Sequence, residues 1–217
     1  MWRDSAALRE ALFGNGAQAQ RYAAEALRMA PTSQHVEIEA ALAFALAGVK
    51  GRAESLEQDL TTRFPLDTQV RSVWLPTIEA QLALVRGKPA AAIDRLLTVT
   101  PVELGSVPFS ANTSCLFAVY VRGQAYLAEG EAGPAAGEFQ KILDHNGIVW
   151  NCPTGALAHL GLARSNALEA RSNQGIAADV ARSRALAAYR DFLELWKDSD
   201  PDIPILKQAK SEYAKLQ

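Results

Sequence analysis

The chain has 217 residues, 22 basic against 24 acidic, a formal net charge of −2, and 49% hydrophobic residues. This balance supplies a core but excludes general nucleic-acid binding, which needs a clustered basic surface. No apolar run reaches the length of a membrane span, and no signal-peptide core follows Met1-Trp2-Arg3-Asp4, so the chain reads as soluble with no address of its own.

Alanine and leucine dominate, prolines fall between apolar-periodic segments, and β-branched runs are short, which together predict an all-α protein. The first elements repeat. Gly14, Ala19 and Pro31 recur as Gly48, Ala53 and Pro65, a spacing of 34 residues. The glycine suits a tight turn between two helices, the small residue lets the second helix approach the first, and the proline stops the second helix. That period and those roles are of the tetratricopeptide type. Helix pairs are expected at about 4–30 and about 34–64.

A third turn is read at Val85-Arg86-Gly87-Lys88-Pro89, inside a pair spanning about 68–99, with Ala92 and Leu96 on its second helix. The segment Thr100 to Ala111 carries two prolines, a glycine and two serines and reads as an ordered loop. A fourth pair is expected at about 112–145, where Val119, Gly123, Tyr126, Ala135, Phe139 and Ile142 fall on the packing positions of the repeat. The triplet Asn112-Thr113-Ser114 reads as a helix cap. A fifth pair, about 154–197, has its turn swollen by Glu169 to Asp179, which forms either a loop or extra helical turns on each side. A last helix, about 203–215, is expected to be capped by Asp202 with Pro204 in its first turn. Its apolar face, Ile205, Leu206, Ala209 and Tyr213, would cover the end of the array, whereas the start has no such cover and reads as a continuation from further repeats. The fold expected is a single domain over residues 1–217, an α-α superhelix of about five helix pairs and a capping helix.

In such a stack the first helices of the pairs line a concave face. The positions expected to point inward are His35 and Ile38, with Leu42 and Ala45, in the second pair; Trp74, Thr77 and Gln81, with Leu84, in the third; and Phe117, Tyr120 and Gln124, with Leu127, in the fourth. Amides would bond the backbone of a peptide, and aromatics would supply buried area. Aromatic residues such as Trp74 and Phe117 are more often core than binding anchors.

Little else carries chemistry. Cys115 and Cys152 are either two free thiols or a bridge at the shared end of neighbouring helices, since a bridge needs Cα atoms within about 7 Å. His145, Cys152 and His159, with Asp144 adjacent, match no compact metal-binding spacing, and no metal is expected. Three histidines without a Gly-x-Ser-x-Gly elbow give no sign of a hydrolase, so neither catalytic residue nor cofactor is expected.

Several segments resemble the tetratricopeptide region that follows the kinase domain of large bacterial serine/threonine protein kinases, notably of the acidobacterial type. They are Ala6-Ala7-Leu8-Arg9-Glu10-Ala11-Leu12-Phe13-Gly14-Asn15, Arg63-Phe64-Pro65-Leu66-Asp67-Thr68, Leu75-Pro76-Thr77, Val102-Glu103-Leu104-Gly105 and Val119-Tyr120-Val121-Arg122-Gly123. The likeness is strongest over Glu138 to His145 and Gly155 to Leu160, and it ends with Leu195 to Pro204. The insertion from Glu169 to Asp179 departs from that pattern, and no glycine-rich strand loop, His-Arg-Asp or Asp-Phe-Gly motif is present. The resemblance implies a sensory or docking module that binds a protein or peptide, or itself, rather than phosphoryl transfer. It also implies a place outside the cytoplasm where a membrane span separates the two parts, and otherwise a cytoplasmic one. The alternative is a structural module that assembles through its uncovered N-terminal end.

Overall fold

A computed structural model describes residues 2–105 and 114–217. Among these there are helices and turns but no strand, and no helix is long and apolar enough to cross a membrane. The chain divides into two compact units, Met1–Ser114 and Cys115–Gln217.

The first unit holds α1 (Trp2–Leu12), α2 (Gly16–Met29), α3 (Gln34–Leu46), α4 (Lys50–Arg63), α5 (Leu75–Val85) and α6 (Pro89–Leu97). Successive helices pack as the pairs α1–α2, α3–α4 and α5–α6, with α3 also against α1, α2 and α5. The turns within the three pairs are copies of one another. Gly14, Gly48 and Gly87 have φ of 87°, 76° and 70°, a left-handed conformation that a side chain resists. The residue after each glycine donates its N–H back across the helix end: Asn15 to Glu10, Val49 to Phe44 and Lys88 to Ala83. This bond satisfies a carbonyl that the helix would otherwise leave open. Five residues past each glycine stands an alanine, Ala19, Ala53 or Ala92, at 0% exposure, so the second helix lies close on the first.

Helix α3 is buried on all sides from Val36 to Ala45, including Glu37 and Glu39. Its Ala-Ala-Leu-Ala-Phe-Ala run has no polar face to turn outward. The third pair differs from expectation at its start. Val70–Trp74 is a π-helical turn leading into α5, closed by Leu75 N–H to Val70 C=O. Pro76 lies just beyond it and has no N–H to donate to Ser72, so the regular ladder is broken there and the helix widens.

The second unit holds α7 (Phe117–Glu129), α8 (Ala132–Asp144), a short α9 (Asn146–Val149), α10 (Pro153–Ser172), α11 (Gly175–Leu195) and α12 (Pro204–Ala214). The pairs α7–α8 and α10–α11 repeat the arrangement, α10 packs on both α7 and α8, and α12 packs on α11. The turn after α7 is again the same device, with Gly130 at φ 86°, Glu131 N–H bonded to Tyr126 C=O, and Ala135 wholly buried. Phe139 is the keystone of the core. A Cβ added to Gly123 of α7 would lie 2.8 Å from its ring, and one added to Gly161 of α10 would lie 2.4 Å from it. Only glycines let two helices close on one aromatic ring in this way, and Tyr120 meets the same ring edge-on at 5.9 Å.

Two local expectations are corrected and one open alternative is decided. Helix α7 begins at Phe117, not near 112, because Cys115 and Leu116 take left-handed φ of 45° and 51°. The cap reading rests on Asn112 and Thr113, which lie outside the described residues, as does the loop beyond Gly105. Of the two readings for Glu169 to Asp179, extra helical turns are observed, with only Asn173 and Gln174 between α10 and α11. At α12 the capping position is Ile203 rather than Asp202, whose carboxylate pairs with Lys207 at 2.7 Å instead. Pro204 does occupy the first turn, and Leu206 and Ala209 are buried as their face predicts.

Candidate functional site

The positions expected to line a concave groove are mostly core. Ile38, Trp74, Thr77, Phe117 and Tyr120 are 2%, 3%, 0%, 5% and 7% exposed. Thr77 donates its hydroxyl to Val73 C=O at 2.6 Å within its own helix, and burial pushes the Tyr120 phenol up to about 12. Leu42 and Ala45 are fully buried too. Large apolar side chains at these positions fill the space between helices, where they gain more than they would on an open face. Gln81, in the first unit, and Gln124, in the second, are half-buried. His35 is held at 2.9 Å by Asp4 of α1 and is not part of an open surface row.

Gln124 does border a cleft, built wholly within the second unit. A cavity of about 750 Å³ lies among α7, α10, α11 and α12. Helix α7 contributes Gln124 and Leu127, α10 contributes Arg164, Leu168 and Arg171, α11 contributes Tyr189, and α12 contributes Gln208 and Glu212, with Lys215 just past its end. Glu212 is the hub. It accepts from Arg164 Nε at 2.9 Å, from Arg164 Nη2 at 3.1 Å and from the Tyr189 hydroxyl at 2.9 Å. Burial first, and then the Glu212 charge, push the Tyr189 phenol well above its ordinary range, so it serves as a neutral donor. The one carboxylate of the cleft is thereby balanced by Arg164, leaving the exposed Arg171 and Lys215 in surplus. The cleft therefore offers cations at its rim, amides at Gln124 and Gln208, and apolar wall at Leu127 and Leu168. The inward positions read from the repeat register stop at the fourth pair, before α10, and α11 and α12 follow the insertion, where that register no longer indicates which residues point inward. Hence Arg164, Tyr189 and Glu212 are missing from the sequence expectation.

Cys115 and Cys152 are joined by a disulfide with Cα atoms 5.7 Å apart, so the reading as two free thiols gives way. Beside it the buried Thr154 hydroxyl donates to Cys115 C=O at 2.6 Å. The bridge and this bond fasten the left-handed Cys115-Leu116 pair to the start of α10. With its sulfur bonded, Cys152 is not available as a ligand beside His145 and His159. His145 Nδ1 instead lies 2.7 Å from Lys141 C=O, and burial lowers the His159 pKa against the opposing pull of Asp191.

A different cluster does converge, in the first unit. Asp4 of α1 and His35 and Glu39 of α3 bring one ligand-type atom each to within 4.8 Å of one another. Asp4 is 0% exposed. Burial, then the Asp4 charge, push the Glu39 carboxyl up to about 8, while burial lowers His35 against the attraction of Asp4.

The architecture defines an all-helical protein of packed helix pairs with a cationic cleft in its second unit. No protein-family model, curated protein or solved structure matches the chain.

Proposed function

We propose that the chain is a non-catalytic, tetratricopeptide-like interaction module whose second-unit cleft receives an extended, acidic peptide segment of a protein partner. The observation that carries this reading is the cleft's make-up: Glu212 is already satisfied by Arg164 and Tyr189, while Arg171, Lys215 and Gln208 remain for a guest, with the Gln124 amide shared between the guest and Tyr120. Carboxylates of the guest pair with the two cations, the Gln124 and Gln208 amides bond its backbone, and Leu127 and Leu168 bury its apolar side chains. Helix pairs joined by four equivalent glycine turns support the tetratricopeptide reading. The resemblance of the segments from Ala6 to Pro204 to kinase-associated repeats supports a setting in bacterial signalling.

The test is fluorescence anisotropy with acidic and neutral peptides of equal length, on the native chain and on Gln124→Ala/Lys215→Ala. Gln124 is half-buried and Lys215 exposed, so circular dichroism of the double variant is expected to be unchanged. Acidic peptides are expected to bind more tightly, to weaken as salt rises, and to lose about tenfold in affinity in the variant, which is 1.4 kcal/mol. Equal affinity for both peptides, or for both proteins, refutes the cleft as the site. A concentration-dependent dimer by light scattering, with no peptide binding, supports the assembly alternative instead.

A further inference from the structure

We propose that Asp4, His35 and Glu39 form a mononuclear binding site for a divalent first-row transition ion, with zinc as the reference ion. The site is in the first unit and is independent of the cleft.

The three side chains come from two packed helices. His35 and Glu39 stand one turn apart on α3, and Asp4 reaches them from the first turn of α1. His35 Nε2 lies 2.9 Å from Asp4 Oδ2 and 3.9 Å from Glu39 Oε1. In a tetrahedral zinc site with bonds of about 2.0–2.1 Å, neighbouring ligand atoms are ~3.3 Å apart. Two of the three separations bracket that value and the third, Asp4 to Glu39, is within 4.8 Å, so side-chain shifts of about 1 Å complete three bonds. A fourth position is left for solvent or a guest ligand.

Two further features fit an ion better than a chance meeting of side chains. The Ser5 hydroxyl donates to Glu39 Oε2 at 3.1 Å, which orients the carboxylate and leaves Oε1 toward the imidazole. Outer hydrogen bonds of this kind are what fix ligands around a metal. The side chains of His35, Asp4 and Glu39 are only 13%, 0% and 8% exposed, so two carboxylates face one imidazole where little water reaches. A neutral imidazole and carboxylates are the forms in which these side chains ligate a divalent ion. The donor set, one nitrogen and two oxygens without thiolate, suits zinc, manganese or ferrous iron rather than cuprous copper.

The experiment uses the full chain after chelator treatment. Zinc chloride is titrated calorimetrically, and cobalt(II) is added as a spectroscopic stand-in. One equivalent of zinc is expected to bind, with cobalt giving visible absorption of a low-coordinate site. Glu39→Gln, which keeps size and the Ser5 bond, is expected to lose at least about tenfold in affinity, since even an outer partner is typically worth that much. If Asp4→Asn fails to fold, nitrogen NMR of the native histidines decides in its place: zinc must move the His35 Nε2 resonance. No stoichiometric binding, unchanged affinity in Glu39→Gln, or shifts at His145 or His159 instead of His35 would each overturn the site and leave protons as the only occupants of the cluster.

Discussion

Replacing Gly161 by alanine sets two effects against each other. In an exposed helix the change adds about 0.8–1 kcal/mol of stability, because glycine has more backbone freedom to lose on folding. Here the new Cβ would sit 2.4 Å from Cδ1 of Phe139, where ordinary contact begins near 3.4 Å. The ring would have to retreat by about 1 Å, but Gly123 closes on its Cζ end and Phe139 itself is 0% exposed. Overpacking of a filled core costs about 1–3 kcal/mol, and with no direction of escape the upper part of that range applies. The net expectation is a loss of about 1–2 kcal/mol. With a urea slope of about 2 kcal/mol per molar, the midpoint falls by about 0.5–1 M. Urea denaturation followed by circular dichroism measures this. Two comparisons make the cause specific. Gly137→Ala, on α8 with nothing within 4 Å of its Cβ, is expected to raise stability by about 0.5–1 kcal/mol. In a Phe139→Leu background the cost of Gly161→Ala is expected to fall by at least about 1 kcal/mol, as contacting residues couple. A stabilising Gly161→Ala, or an equal cost with leucine at 139, would refute the account of the α7–α10 contact.

Two further outcomes follow from buried pairs and crosslinks. Arg122 is wholly buried and its Nη2 meets Glu138 at 2.5 Å, so Glu138→Gln turns a buried charge-assisted bond into a weaker one and is expected to cost about 2 kcal/mol in urea denaturation; a cost below 1 kcal/mol would show that the pair behaves as a surface one. Reduction of the Cys115–Cys152 bond, or Cys152→Ser, opens a loop of sequence separation 37 and is expected to cost about 4 kcal/mol by chain entropy, read as a reductant-dependent drop in the urea midpoint. Identical curves with and without reductant contradict that expectation.

Much of the helical plan was legible because it rests on local signals. Glycine at each turn and alanine five residues later are spacing facts, and Pro31 and Pro65 mark helix ends directly. The burial of Thr77 and Tyr120 was not legible. A repeat register says which way a position points along its own helix, but not whether neighbouring side chains cover it. The inward register stops at the fourth pair, before Arg164, and the extra turns between Glu169 and Asp179 put the register of α11 out of reach, and with it the Tyr189–Glu212 contact. Glu39 was hidden among 24 acidic residues, most of which serve as solvated charge. A cue was present nonetheless. The segment Ala40-Ala41-Leu42-Ala43-Phe44-Ala45 leaves α3 no polar face, so a carboxylate on that helix has to be buried and has to find a partner. Likewise Pro76 inside an expected helix signalled a break in the ladder that the widened turn at Val70–Trp74 records.

The four matching turns at Gly14, Gly48, Gly87 and Gly130 are closed by backbone groups alone, and each requires only one left-handed residue. Almost any sequence with a glycine there can therefore make the joint, which frees the flanking positions to drift. Length change falls elsewhere, in connections that lead from one pair to the next, such as His145 to Cys152, and in the lengthened helices of the α10–α11 pair. A helix pair with its turn is thus the unit that duplication or grafting can move intact. A protease site or a reporter domain placed between pairs should leave every such joint whole.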